Sequence, residues 1–225
     1  MIASYSFLRD LENCPHKAYR KYLVRDLPKE DSPELREGII IHKIFEDYIN
    51  GASGRLPVEL ESHAKPLTAR GAQAEVMLGM TKDCQPAPFW NSPSDDVPEG
   101  SPPVEKLWLR GKVDVLVLEP PVAFIVDWKT GKVREDPHEL RVQALLVRAN
   151  YPTVHRIRGC YVWLKTGCAG PIYDLSDLNA TYHETIAALE TAESYGADWP
   201  TKPNALCNWC PVGDCRFNSN PRLIK

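Results

Sequence analysis

The most constraining stretch of this sequence is residues 112–129, KVDVLVLE-PP-VAFIVDWK: two apolar runs separated by a pair of prolines. Runs of Val, Ile, Leu and Phe of this length, broken by prolines, read as the two strands of a buried hairpin. Asp114 lies near the start of the first strand, Asp127 near the end of the second, and Lys129 two residues beyond it. A turn centred on Pro120-Pro121 pairs Glu119 with Val122 and, in the same register, Asp114 with Asp127. Two prolines cannot form a primed two-residue turn, so a longer, symmetrically extended loop is expected. Directly opposed residues share a face, with Cβ atoms roughly 5 Å apart, and period two puts Lys129 on the face of Asp127. The three charged groups therefore converge. Two carboxylates that close repel each other unless a cation or a proton sits between them. A hard divalent ion, Mg²⁺ or Mn²⁺, resolves that repulsion and bridges to phosphate oxygen, and a lysine beside it steadies developing negative charge. The plainer alternative is a strand-end ion pair between Asp127 and Lys129, with Asp114 a solvated edge residue.

Upstream of the hairpin the signals are helical. Ser4 or Ser6 caps a first helix, which Pro15 interrupts and restarts. A second helix starts at Ser32 and Pro33 and stops before Gly51. Its segment ELREGIIIHKIFEDYIN is apolar around more than half its circumference, which predicts a mostly buried helix. A further helical segment is expected over residues 68–80, then a proline- and serine-rich surface loop over 85–103. From there VEKLWLRG, KVDVLVLE and AFIVDWK read as three consecutive strands. A helix begins at Asp136-Pro137, RIRGCYVWLKTG returns to strand, and a last helix is capped by Ser176 or Asp177 and stopped by Gly196. This order predicts an α/β protein with a central mixed sheet flanked by helices.

Composition excludes little. The formal net charge of −3 argues against a protein that coats nucleic acid indiscriminately, but a local basic groove needs only local charge. Lys17, Arg20, Lys21 and Arg25 form one such cluster, for which a solvated helix face is the alternative. No apolar run approaches the roughly 20 residues of a membrane span, and the N-terminus lacks a signal-peptide pattern. Seven cysteines is an odd count, and an intracellular, cytoplasmic setting is expected. Cys207, Cys210 and Cys215, in C-x2-C-x4-C spacing, place three thiolates within nine residues, which predicts a bound metal or cluster. Structural zinc and iron–sulfur both suit thiolates so spaced. Cys84, Cys160 and Cys168 read as ordinary thiols, Cys160 in the core.

Together, GKVDVLVL and FIVDWKTGK resemble the PD-(D/E)XK nuclease superfamily, and DWKTG looks most like its RecB-like branch. GIIIH (residues 38–42) is similar to the G-x-x-x-H helix of that branch, and QALLV (143–147) falls at its Q-x-x-x-Y helix. The resemblance implies a restriction-endonuclease-like core, metal ligation by His42, Asp114 and Asp127, catalysis by Lys129, and support from Gln143. Val147 stands where the branch has tyrosine, and Glu105 where some relatives carry an acid. Cys14 resembles the N-terminal cysteine with which iron–sulfur members, the CRISPR-adaptation exonucleases and the AddB nuclease domain, complete a [4Fe–4S] site. The chain then reads as one nuclease domain: a catalytic core over 32–197, with 1–31 and 198–225 joined by Cys14, Cys207, Cys210 and Cys215.

The activity implied is Mg²⁺- or Mn²⁺-dependent hydrolysis of DNA, most typically single-stranded and from an end. Arg134, Arg141 and Arg148 would join residues 17–25 in guiding the strand through its phosphates. Helicase, recombination or CRISPR-adaptation proteins are the implied partners. A non-catalytic binding or assembly module, or a restriction-like endonuclease, are the alternatives.

Overall fold

The computed structural model describes residues 1–28, 31–52, 55–90, 106–133 and 136–219. Glu105, Arg134 and much of the expected 85–103 loop lie outside them. The chain divides into two compact units, essentially Ala3–Asp31 with His183–Lys225, and Ser32–Tyr182.

In the smaller unit Ser4 caps α1 (Tyr5–Asn13) by accepting the Phe7 N–H at 3.3 Å. Pro15 opens α2 (Pro15–Ala18), which runs on into a π-helical turn over Tyr19–Val24. Asp10 is buried and receives Lys17 at 3.3 Å, Lys21 at 2.9 Å and the Tyr22 hydroxyl at 2.9 Å. Burial favours its neutral acid, but the Lys21 hydrogen bond and the Lys17 and Lys21 charges outweigh burial and hold its pKa below the ordinary value. Arg20 pairs with Asp26 and Asp214, each at 2.8 Å. Three members of the basic cluster are thus engaged in ion pairs within this unit, which a sequence scan for positive charge does not show. Arg25 is exposed, with its backbone in the left-handed region at φ 61°.

The larger unit carries a seven-stranded sheet in the order β2-β1-β3-β4-β5-β6, with β7 also paired to β5. Its elements are α3 (Pro33–Ile49), α4 (Val58–Thr68), β1 (Gln73–Met80), β2 (Pro86–Ala87), β3 (Leu109–Glu119), β4 (Val122–Lys129), α5 (His138–Asn150), β5 (Arg156–Trp163), β6 (Cys168–Ala169) and β7 (Tyr173–Asp174). α6 (Asn179–Ser194) passes from this unit into the smaller one. β3 pairs antiparallel with β1 and β4, whereas β5 runs parallel to β4 after the α5 crossover. A mixed sheet follows from that single crossover.

The hairpin register runs from Glu119 opposite Val122 to Val115 opposite Val126. The turn is only Pro120-Pro121, joined by a cis peptide bond, rather than the longer loop expected. Two expectations about elements are corrected. Residues 73–80 form a strand, not a helix: QAEVMLGM is rich in helix formers, but pairing with β3 along its length overrides that weak preference. The segments LWLRG and KVDVLVLE do not form two strands; from Leu109 onward they are the one strand β3, and β1 supplies the remaining strand of the meander.

Ser32 caps α3 by accepting the Leu35 N–H at 3.2 Å. This helix is less buried than its apolar circumference predicts: Phe45 and Ile49 are buried, whereas Ile39 and Ile40 are 62% and 61% exposed. Three consecutive isoleucines span too wide an arc for one sheet face to cover. Phe45 and Ile49 pack with Ala64 and Leu67 of α4 on Val115, Val117, Val126 and Trp128, and the Phe45 and Trp128 rings stack at 4.4 Å. α5 lies against β3 at Gly111, where an added Cβ would come within 2.9 Å of Leu146. The first residues of β3 and the last of β4 therefore meet at one end of the sheet, beside α3 and the start of α5.

Candidate metal and catalytic centre

Asp114 and Asp127 lie just past Val115–Val126, the last pair of the β3–β4 ladder. There the Asp114 side chain, not its backbone, takes the Trp128 N–H, accepting it at 2.9 Å. His42 from α3 sits against the same peptide, its Nε2 3.0 Å from the Trp128 carbonyl oxygen. A ring that donates Nε2–H to that carbonyl turns Nδ1 toward Asp114 Oδ2 at 3.5 Å and Glu75 Oε1 at 3.7 Å. Among the described residues, one group of three potential ligands has its atoms within 4.8 Å of one another: His42, Glu75 and Asp114.

Glu75 was not found by sequence reasoning. In the ladder Ala74 pairs with Val115 and Val76 with Val113, so Glu75 faces Asp114 at the interruption between them. Its φ of 53° is left-handed, uncommon for a non-glycine residue inside a strand. Strain of this kind collects where side chains must be aimed at a site. Lys112 Nζ holds the second Glu75 oxygen at 3.0 Å. The signal available was a lone acid in an otherwise apolar strand, but it lay in a segment read as helix.

Asp127, 2% exposed, stands beside the group rather than within it. Gln143 from α5 donates to its Oδ2 at 3.1 Å. Lys129 Nζ lies 2.8 Å from its Oδ1, close enough to pair the charges though not aligned for a hydrogen bond. Lys129 also donates to Glu139 in the first turn of α5 at 2.7 Å, a partner the sequence had not suggested.

Burial first, and then the Asp114 charge, push Asp127 up to about 7. Burial likewise raises Asp114, with Glu75 adding to it against His42, Lys129 and the Trp128 N–H. Glu75, then Asp114 and Asp127, raise the His42 pKa against its burial. Lys129, partly desolvated, is nonetheless held protonated by Asp127 and Glu139. Burial raises both aspartates, while neighbouring carboxylates add to the rise and hold His42 and Lys129 protonated; a divalent cation would neutralise this gathered negative charge in place of protons. One imidazole nitrogen and two carboxylates suit Mn²⁺ or Mg²⁺. Glu75→Gln should therefore weaken Mn²⁺ binding about 10- to 100-fold, on the scale of other lost metal-site partners. Titration of the purified protein with Mn²⁺ checks this, and unchanged affinity would remove Glu75 from the ligand set.

In the smaller unit, Cys14, Cys207, Cys210 and Cys215 line one cavity of about 370 Å³. All are half-buried free thiols. Asn204 ties the two chain segments together, donating to the carbonyls of Asn13 at 2.8 Å and Lys202 at 2.9 Å. Burial raises the Cys210 pKa, and the neighbouring Cys14 and Cys207 add to the rise. No three of these sulfurs lie mutually within 4.8 Å. Of the remaining arginines, Arg148 donates to the His155 carbonyl at 2.9 Å, and Arg141 is exposed. Val147 is fully buried in α5.

A histidine, a carboxylate cluster and a lysine at the end of a mixed sheet define a class of metal-assisted phosphodiester hydrolase sites. A sequence profile of the PD-(D/E)XK nuclease superfamily matches residues 2–215, and the chain belongs to that superfamily. Its helix-flanked mixed sheet is the restriction-endonuclease-like fold of that group. No curated protein matches the sequence. Among solved structures, that of SSO0001 is 13% identical, covering 96% of this chain and 87% of its own, with a TM-score of 0.51. A candidate exonuclease from Eubacterium rectale is 15% identical, covering 92% of this chain and 86% of its own, with a TM-score of 0.48. No helix among the described residues is long and apolar enough to cross a membrane.

Proposed function

We propose that this nuclease is a Mg²⁺- or Mn²⁺-dependent deoxyribonuclease of the RecB-like branch, cutting single-stranded DNA from an end and carrying a [4Fe–4S] cluster in its smaller unit. The observation that carries the hydrolytic reading is the convergence of His42, Glu75 and Asp114 beside the buried Asp127–Lys129 pair. A divalent ion bound there supplies Lewis acidity and a water of lowered pKa. His42 and the carboxylates hold it, and the Trp128 peptide fixes the His42 ring and the Asp114 carboxylate through its two polar groups. Lys129 is kept cationic by Asp127 and Glu139, so it is suited to steadying phosphate charge and orienting a water, not to removing a proton. Gln143 sets the orientation of Asp127.

For the cysteines, four half-buried thiols around one cavity support a bound metal or cluster, and the resemblance of Cys14 to the N-terminal cysteine of iron–sulfur members favours the cluster.

End-labelled linear and circular single-stranded DNA, incubated with Mn²⁺ and then with EDTA, test the reading. Linear DNA should be degraded progressively, the circle spared, and both protected by EDTA. Cutting of the circle would make the protein an endonuclease. Intact linear DNA would favour a binding module.

A further inference from the structure

Beside Lys129 the sheet opens into a cavity of about 210 Å³ walled by Tyr161, Trp163 and Tyr173. β5 runs parallel to β4 with Tyr161 next to Asp127 and Trp163 next to Lys129. Laterally paired residues project from the same face of a sheet, so the two rings stand on the side that bears the carboxylate and the ammonium. Lys129 Nζ lies 5.5 Å from the centre of the Tyr161 ring. The Tyr161 hydroxyl donates to the Asp136 carbonyl at 2.9 Å, and the Gly170 N–H bonds the Tyr161 carbonyl at 2.8 Å, so both ends of this residue are pinned. The Tyr161 and Trp163 rings lie 5.7 Å apart, tilted by 43°, with Tyr173 edge-on to Tyr161 at 6.5 Å. Val133 and residues 168–171 complete the wall, and no side chain that lines the cavity carries a charge.

The volume is below the roughly 300–1,000 Å³ of pockets for drug-sized ligands and is the size for one flat ring system. The Lys129 ammonium approaches the Tyr161 ring that walls the cavity and pairs with Asp127 beside the His42–Glu75–Asp114 group. An occupant with an aromatic face joined to an anion at Lys129 fits both features. Resting on the deoxyribonuclease reading above, we infer that this cavity takes the nucleobase adjoining the scissile phosphate, stacking it on Tyr161 and Trp163. Aromatic walls without charged groups read a π-face and not a base edge, so any base is accepted. A base can enter only when unpaired and unstacked from its neighbour, which a duplex resists. The pocket thereby supplies a physical reason for preferring single strands.

Scanning one abasic residue along a short single-stranded oligonucleotide tests this, with binding measured in Ca²⁺ and cleavage in Mn²⁺. Base–aromatic stacking of about 1–3 kcal/mol corresponds to a loss of roughly 5- to 150-fold. Wild type should show that loss in affinity at one position, and the phosphate next to it should be cut more slowly by a similar factor. Trp163→Leu should bind intact DNA more weakly and lose the abasic penalty. Cys168→Phe, altered at an exposed rim position opposite Trp163, should do the same without disturbing the core. A flat abasic scan in wild type, or a penalty that persists in both variants, overturns the inference. A position-specific penalty in Ca²⁺ with no cleavage in Mn²⁺ keeps the pocket and sinks the hydrolytic reading instead.

Discussion

Asp114→Asn protein is expected to lose DNA cleavage by at least about 100-fold and to lose Mn²⁺ binding with it, whereas Lys129→Gln should lose a comparable factor in turnover and still bind the ion. The difference follows from where the two groups sit. Asp114 has a carboxylate oxygen in the group with His42 and Glu75, and its other tie is to the Trp128 N–H. Lys129 touches none of those three; its ammonium lies between Asp127 and Glu139. Glutamine at 129 keeps a hydrogen-bond donor near Asp127 but removes the charge that would meet a phosphate. Cleavage rates on labelled single-stranded DNA and calorimetric Mn²⁺ titration of both variants check the split. Equal cleavage by wild type and Asp114→Asn would remove the metal-assisted mechanism altogether.

Replacing Cys210 with Ala should strip the smaller unit of the cluster proposed for it and destabilise it by on the order of several kcal/mol, as for other small metal-organised folds. That unit has a tail with few buried apolar side chains: among the described residues, Trp199 and Val212 are its buried hydrophobics after α6. Polar ties such as Asn204 to Asn13 and Lys202 to the Glu12 carbonyl hold the tail in place. Anaerobically purified wild type should contain about four irons and four sulfides per chain and absorb in the visible. The variant should be colourless, with protease cuts gathered in residues 198–219, while cleavage per folded molecule falls far less than in Asp114→Asn. A colourless wild type containing zinc would replace the cluster with a structural zinc site. A variant as stable as wild type, with its iron retained, would remove Cys210 from the ligand set.

The parts of this fold that were legible in the sequence are those governed by neighbours along the chain. Ser32 and Pro33 mark the start of α3, and Gly51, at φ 76°, its end. The hairpin register could be read because a symmetric turn of any length leaves the same residues opposed and period two sets their faces. Its two-residue turn was not legible, since a cis Pro120-Pro121 peptide lies outside the primed geometries that two-residue hairpins ordinarily take. The basic cluster was legible as composition, but the partners of Lys17, Arg20 and Lys21 were not: Asp10, Asp26 and Asp214 lie up to 194 residues away in the chain.

The sequence by itself determined the two strands that bring Asp114, Asp127 and Lys129 to one end of the hairpin, because alternation along a strand is a local property and a symmetric turn of any length leaves the register unchanged. Only the tertiary structure decided that residues 73–80 are a strand, and with it that Glu75 faces Asp114 and His42. The same is true of Tyr161 and Trp163, which reach Lys129 through a parallel pairing set by the α5 crossover. Strand preference is worth less than the lateral pairing that realises it. A residue's place in a sheet is therefore fixed by partners that its own stretch of sequence does not contain.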